Sequence, residues 1–195
     1  MNHSKLSAIP PTILGETLSG ACIYCWPLKN IQIELLKIQI DPSLPPGMKV
    51  SRCIAFLWRF KNSSKKMDLQ FSCRFLPKQA KLKGEPESGE GLIAQSWSNA
   101  NGRLTIGTED EEDLVERAEN QQWLPSRFAK KNLLIPEMLE YLEDGIRVSL
   151  PALEENEQGQ IQFIIAWIEG NNRNDYSTWQ AVDMSYTKVL EFAGK

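Results

Sequence analysis

Two of the four cysteines, Cys22 and Cys25, have the C-x-x-C spacing used by redox pairs and by half of a zinc site. A redox pair needs a stabilised thiolate, commonly at a helix N-terminus. Ala21–Trp26 instead has the pattern of a short strand, in which residues three apart point to opposite faces. A zinc site would need two further ligands, and the register expected below separates Cys53 from Cys73. We therefore interpret all four cysteines as reduced, small apolar side chains and predict no metal site and no cofactor.

The chain has a single histidine, His3, close to its N-terminus. Triads of the Ser-His-Asp or Cys-His kind need a histidine held firmly against the nucleophile, and a terminal segment is a poor place for one. Carboxylate, lysine or tyrosine chemistry stays open, but no spacing indicates it. We expect a protein that is not an enzyme and keep an enzyme of unknown reaction as the third reading.

Charge is strongly segregated along the chain. Residues 59–83 hold eight basic residues and one acidic residue, Asp68, for a net charge of +7, whereas residues 85–119 hold ten acidic and two basic residues, for a net charge of -8. Two readings stay open: solvated faces that keep the protein dispersed, or an electrostatic docking surface. The docking reading nominates these charged residues for partner binding: Lys61, Lys65, Lys66, Lys78, Lys81, Glu109, Asp110 and Glu112.

Nucleic acid is not the expected partner of the basic stretch. The whole chain has a net charge of -3. The aromatic residues beside the lysines, Phe60, Phe71 and Phe75, lie on the face predicted to be buried, so they are poor candidates for stacking on bases. The docking reading therefore predicts a protein partner, or a second copy of this chain meeting it head to tail.

Six tryptophans are many for a chain of 195 residues. Half of them follow core-facing patterns: Trp58, Trp97 and Trp167. Asp175 and Asp183 flank Trp179 and could frame a polar site. The residues nominated for a small ligand are Trp123, Trp179 and Arg127. They define the alternative reading, a ligand-binding β-barrel or sandwich with a tryptophan-lined pocket.

Alternating apolar and polar residues over 31–75 predict three β-strands with one buried face. In the first, Ile31–Ile40, the alternation slips by one residue at Leu35 and Leu36, which predicts a β-bulge that keeps both halves on one face. The next two segments, 49–60 and 67–76, are predicted to pair as a hairpin across a four-residue loop. That register sets Phe56 opposite Phe71 and places Cys53 and Cys73 on opposite faces.

Residues 77–91 have a loop composition, and a second hairpin follows with Asn101-Gly102 as its turn and Trp97 opposite Ile106. Thr108 and Glu111 match a capping box that starts a helix. A second helix is predicted from Ile135 to Gly145, with Pro136 in its first turn. The remaining apolar segments, 146–150, 160–168 and 176–184, are predicted strands, the middle one covered on both faces.

These elements predict a mainly β fold, an antiparallel β-sandwich or partly open barrel with two short helices inserted between hairpins, which could also be classed α+β. We expect one domain over 1–195, with residues 1–20 as an irregular lead-in. The longest apolar runs are far too short to span a bilayer. The expectation is a cytoplasmic protein without membrane insertion, acting as a non-enzymatic interaction or assembly module through its segregated charges.

Overall fold

A computed structural model of the protein describes residues 9–75, 84–89, 91–130, 138–170 and 176–194. The strands are β1 (Thr12–Glu16), β2 (Cys22–Pro27), β3 (Ile31–Ile40), β4 (Arg52–Asn62), β5 (Lys66–Arg74), β6 (Glu85–Gly89), β7 (Leu92–Asn99), β8 (Gly102–Glu109), β9 (Leu139–Leu142), β10 (Gly145–Glu154) and β11 (Gln158–Glu169). The α-helices are α1 (Glu111–Glu119), α2 (Ser177–Val182) and α3 (Tyr186–Phe192), and a 3-10 helix spans Ser126–Ala129.

Two antiparallel sheets build the fold. The larger has the strand order β1-β2-β3-β4-β11-β8-β7-β6, and the smaller has the order β5-β10-β9. The small sheet covers one face of the large sheet, and α2 and α3 cover the other. The mainly β class with short helices, a sandwich-like α+β fold, is confirmed. No helix in the described ranges is long and apolar enough to cross a bilayer.

The phase slip in β3 does not mark a bulge. β3 pairs with β4 in one unbroken register, from Ile31 opposite Asn62 to Ile40 opposite Cys53. Before the slip, Ile33 points toward the small sheet, and after it, Leu36 points toward the helices. The predicted bulge is wrong because both faces of this strand are covered, each along a different half.

The hairpin predicted from β4 and β5 is also wrong, because the two strands lie in different sheets. β4 pairs on one edge with β3 and on the other with β11, ten residue pairs each, so neither edge is free. β5 pairs with β10 instead. Phe71 still contacts an aromatic residue of β4, although it is Phe60 and not the predicted Phe56. The centroids of the Phe60 and Phe71 rings lie 5.3 Å apart, between the two sheets. A buried aromatic face therefore predicted proximity, but not hydrogen-bonded pairing.

The connection from β4 to β5 is held by Asn62, which has no exposed surface. Its amide nitrogen donates to the carbonyls of Leu153 at 3.1 Å, Glu154 at 3.0 Å and Ser64 at 2.8 Å, and its oxygen accepts from the backbone nitrogen of Ser64 at 2.9 Å. These bonds bind the β4–β5 connection to the neighbouring connection between β10 and β11. The polypeptide thus crosses between sheets at a fixed point.

The β7–β8 hairpin forms, but its turn is Ala100-Asn101, which sets Trp97 opposite Leu104 instead of Ile106. Gly102 is the first residue of β8, at φ +156°. A Cβ there would overlap the carbonyl oxygen of Ile168, so the glycine is required by its contact with β11 and not by the turn. The predicted turn was displaced by one residue for this reason.

Three other local predictions change. The lead-in contains the edge strand β1. Leu139–Leu142, predicted as helix, forms β9 and pairs with β10, and the rest of that prediction, including Pro136, lies outside the described residues. Residues 176–184, predicted as strand, contain α2, because Ala181 and Val182 are buried together against the large sheet. The loop predicted at 77–91 is wrong for its second half, because Glu85–Gly89 forms the edge strand β6 against β7, and residues 77–83 and 90 lie outside the described residues.

Candidate functional site

Helix α1 carries the densest group of charged residues in the fold, and its first turn sets their positions. Asp110 caps the helix: its Oδ1 accepts from the backbone nitrogen of Asp113 at 2.9 Å. The predicted helix is confirmed, although its cap is Asp110 and not Thr108, which lies in β8. Acidic side chains at this end are favoured by the helix dipole, so they can gather without unwinding the helix.

On its outer side, the start of α1 forms a groove with β7 and the edge strand β9. Three acidic and three apolar residues line this acidic groove: Ile93, Asp110, Glu111, Glu112, Leu139 and Tyr141. Its volume is about 300 Å³. The Tyr141 hydroxyl donates to the carbonyl of Glu87 at 3.1 Å. Burial, and to a smaller extent the negative charge of Glu87, raises the pKa of Tyr141. Tyr141 therefore forms a fixed wall.

The basic candidates lie elsewhere in the fold. Lys61 lies near the end of β4, Lys65 lies in the connection between β4 and β5, and Lys66 begins β5. All three are exposed, and we call residues 61–66 the basic turn. Within the described parts of the chain, none of the three forms an ion pair. Asn62 fixes the backbone below them, so their charges project from an ordered connection. Lys78 and Lys81 lie outside the described residues.

Glu109 must be removed from the docking surface, because the structure places it in the interior. Its side chain is 3% exposed and pairs with Arg117, with 2.6 Å between Arg117 Nη1 and Glu109 Oε2. Arg117 also donates to the Gln160 carbonyl at 3.0 Å and lies over the ring of Tyr186, 3.8 Å from its centroid. Sequence counting could not separate this carboxylate from its exposed neighbours.

A cavity of about 100 Å³ lies behind α1, between the large sheet and the link from α2 to α3. We call it the acidic cavity. Its lining residues are Gly91, Leu92, Thr108, Glu109, Asp113, Gln162, Ile164, Val182, Asp183, Met184 and Ser185. Burial raises the pKa of Glu109 to about 7, against the opposing effect of Arg117. Burial also raises the pKa values of Asp113 and Asp183. Carboxylates on three elements thus converge on one space.

The acidic cavity contains a residue that sequence reasoning missed. Gln162 is 1% exposed and its Nε2 donates to the Met184 carbonyl at 3.1 Å, tying the α2–α3 link to β11. A polar residue inside a strand predicted to be covered on both faces was the available signal. The sequence placed Asp183 in a polar site beside Trp179, but in the structure Asp183 lines the acidic cavity together with Asp113 and Glu109.

The tryptophan pocket is not assembled. Trp123 is 40% exposed and stacks with Arg59 at 4.9 Å beside β11, while Trp179 packs on Gly89 of β6. Strands β8 and β7 lie between, a separation of roughly 14 Å at the usual strand spacing. Neither tryptophan lines the acidic groove or the acidic cavity.

Arg127, the third residue nominated for the ligand, is engaged within the fold. Its Nε and Nη2 each bond to the Glu157 carboxylate at 2.6 Å, and Nη2 also donates to the carbonyl of Ala152. This pairing raises the pKa of Arg127. The guanidinium therefore ties the 3-10 helix to the β10–β11 connection.

All four cysteines are free thiols. Burial raises the pKa of Cys53 and of Cys73 to about 12, which keeps both protonated and unreactive at neutral pH. Cys22 and Cys25 lie on strand β2, and burial and the charge of Glu34 raise the pKa of Cys25. Among the described residues, no group of three or more His, Cys, Asp or Glu is arranged to hold a metal ion.

Comparisons with known proteins give only weak structural similarity. No protein-family model matches the chain, and no curated protein sequence matches it. Among solved structures, the chain is similar to one described as "Putative kojibiose phosphorylase from human microbiome", at 11% identity and a TM-score of 0.43. The match covers 89% of this chain and 22% of that chain. A likeness at this level carries no functional argument.

Proposed function

We propose that this protein is a non-enzymatic interaction or assembly module whose acidic groove receives a basic segment of another chain. The observation that supports this most directly is the composition of the groove, in which Asp110, Glu111 and Glu112 adjoin the apolar side chains of Ile93 and Leu139. A lysine or arginine side chain has the matching structure, an apolar stem with a charged end.

Electrostatics also favours a basic occupant. Three carboxylates within one helical turn repel one another, and the helix dipole offsets this only in part. A cation placed in the groove would relieve the repulsion, and its attraction would act at the distances over which charged surfaces steer association. Binding of this kind weakens with added salt, because salt screens exposed charges.

The basic turn of a second copy is the occupant that the chain itself supplies. Lys61, Lys65 and Lys66 are exposed, have no ion-pair partner among the described residues and project from a connection fixed by Asn62. Because the groove and the turn are different surfaces, their contact would be heterologous and would build head-to-tail assemblies.

The test is light scattering coupled to size exclusion, at low and high salt, over a range of protein concentrations. We expect association at low salt that disappears at high salt. The double variant Glu111→Gln/Glu112→Gln should reduce it, as should Lys65→Glu/Lys66→Glu. The matched control is Glu116→Gln/Glu119→Gln, which removes two exposed charges of the same helix outside the groove.

A peptide with the sequence of residues 61–68 separates self-association from binding of another basic partner. If the protein is monomeric at low salt but binds this peptide in a salt-dependent manner that needs Glu111 and Glu112, the groove binds a different chain. A monomer at all concentrations that also fails to bind the peptide would overturn the proposal. Equal losses in the control variant would show an effect of total charge, which also contradicts it.

A further inference from the structure

Two buried oxygens that line the acidic cavity have no hydrogen-bond partner among the described residues. They are Oε1 of Glu109 and Oε1 of Gln162. The other end of each group is occupied: Glu109 Oε2 accepts from Arg117, and Gln162 Nε2 donates to the Met184 carbonyl. Burying an acceptor without a donor costs roughly 1–3 kcal/mol, and more for a charged group, so such atoms normally have a partner. When Glu109 is ionised, no group in the described part of the chain donates to either atom, and a ligand with N–H donors would satisfy both.

The charge of the lining favours a cationic donor over water. Glu109, Asp113 and Asp183 line the cavity, and no lysine or arginine is among its described lining residues, so the lining is negative whenever these carboxylates are ionised; Arg117 pairs with Glu109 from outside the lining. Gly91, at φ +76°, lets the Asp113 carboxylate lie close to the backbone, because a Cβ at this position would come within 2.7 Å of Asp113 Oδ2. The negative charge is thus accommodated by the local sequence.

The walls of the cavity distinguish an organic cation from a metal ion. Leu92, Ile164, Val182 and Met184 supply apolar surface beside the oxygens. The carboxylates are not arranged to hold a metal, as noted for the described residues. A ligand that matches this cavity would carry a compact charged group with several N–H donors, which would bind the oxygens. It would also have a short apolar chain, which would contact the walls.

We propose that the acidic cavity binds a small primary alkylammonium ion, which donates hydrogen bonds to Glu109 Oε1 and Gln162 Oε1 and contacts Leu92 and Val182 with its carbons. Entry is at the α2–α3 link, where Asp183 and Ser185 are exposed while Glu109 and Gln162 form the floor. Asp183 attracts the ion at the entrance. This site is separate from the acidic groove, which lies on the other side of α1.

Isothermal titration of the full chain with n-propylammonium tests the proposal, with n-propanol and Ca²⁺ as comparison probes. We expect binding of the ammonium ion and a much weaker response to either comparison probe. Asp183→Asn should weaken binding about tenfold, which corresponds to about 1.4 kcal/mol. Asp68→Asn, which removes an exposed carboxylate on β5, is the matched control and should bind like the parent.

Gln162→Met tests the floor of the cavity while keeping a side chain of similar length, and it should abolish measurable binding. Its fold is checked by circular dichroism, and the Asp183→Asn result stands independently if Gln162→Met fails to fold. No heat with n-propylammonium would mean that the cavity holds water only, and equal affinity for n-propanol would mean that the cavity does not recognise the charge. Either result would overturn the proposal. Stronger binding of Ca²⁺ than of the ammonium ion would also contradict it.

Discussion

Arg117 and Glu109 form a buried ion pair that joins α1 to the end of β8, with 2.6 Å between Nη1 and Oε2 and side chains 5% and 3% exposed. Arg117 reaches farther, to the carbonyls of Gln160 and Gln122. A single side chain therefore fixes the helix whose outer side forms the acidic groove and whose inner side closes the acidic cavity. Both proposed sites depend on it for their geometry.

Replacing Arg117 with methionine should destabilise the protein by about 3 kcal/mol or more, because it leaves Glu109 buried without its partner. The double variant Arg117→Met/Glu109→Leu should recover much of this loss, since no charge remains buried. The measurement is urea unfolding at neutral pH. The matched control is Arg147→Met, which breaks the exposed Arg147–Glu140 pair and should cost less than about 1 kcal/mol. Equal losses at both arginines would contradict a special role for the buried pair.

Stability should fall as pH rises from about 4.5 to about 7, in part because of Glu109. Burial raises its folded-state pKa from 4.5 to about 7, while Arg117 lowers it and Asp113 and Asp110 raise it further. The folded state then binds this proton more tightly than the unfolded state. The stabilisation is therefore fully present below pH 4.5 and is lost as pH rises through about 7.

The check on this pH dependence is the unfolding free energy at several pH values for the parent and for Glu109→Gln. The variant cannot titrate at this position, so the fall between about pH 4.5 and about pH 7 should be shallower, whatever its absolute stability. Tyr186, which also faces Glu109, titrates outside this range because burial raises its pKa from 10.0. Parallel pH profiles for the two proteins would exclude Glu109 as the source.

Asn62→Ala should destabilise the protein by roughly 1–3 kcal/mol, because the buried carbonyl of Leu153 and the part-buried carbonyl of Glu154 lose their side-chain donor. Asn99→Ala is the control: that side chain caps a turn at the exposed backbone nitrogen of Asn101, and its loss should cost less. Thermal unfolding of both variants gives the comparison. If the basic turn requires Asn62, amide exchange at residues 63–65 should also accelerate in Asn62→Ala but not in Asn99→Ala.

Hydrophobic patterning predicted strands well where each face of the strand meets one environment. The β11 segment was predicted as covered on both faces, and Phe163 and Ile164 point into the two different cores. The same patterning gave a wrong prediction for β3. Its two halves bury opposite faces, and this produces the same slip in the apolar pattern as a bulge would. The predictions for two short elements, Leu139–Leu142 and Ser177–Val182, were wrong for a related reason. Each takes its conformation from the surface that it covers, which local propensity does not encode.

The candidate sites show the same division. Composition located the acidic first turn of α1 and the basic turn, since runs of like charge are visible in any register. It could not show that Glu109 points inward, because its exposure depends on the helix that follows it folding back over the sheet. Gln162 gave no sequence signal of function beyond its polarity. Its amide nitrogen donates to the Met184 carbonyl, and its oxygen has no partner within the described ranges.

The sequence by itself determined the β-rich class, the position of most strands, the first helix and the segregation of charge. These follow from the period of apolar residues and from local capping chemistry, both of which act over a few residues. Only the tertiary structure decided which strands pair, which face of each is buried and which carboxylates meet. Those outcomes depend on contacts such as Glu109 with Arg117 and Asn62 with Leu153, whose partners come from different elements and whose proximity results from the packing of the whole chain.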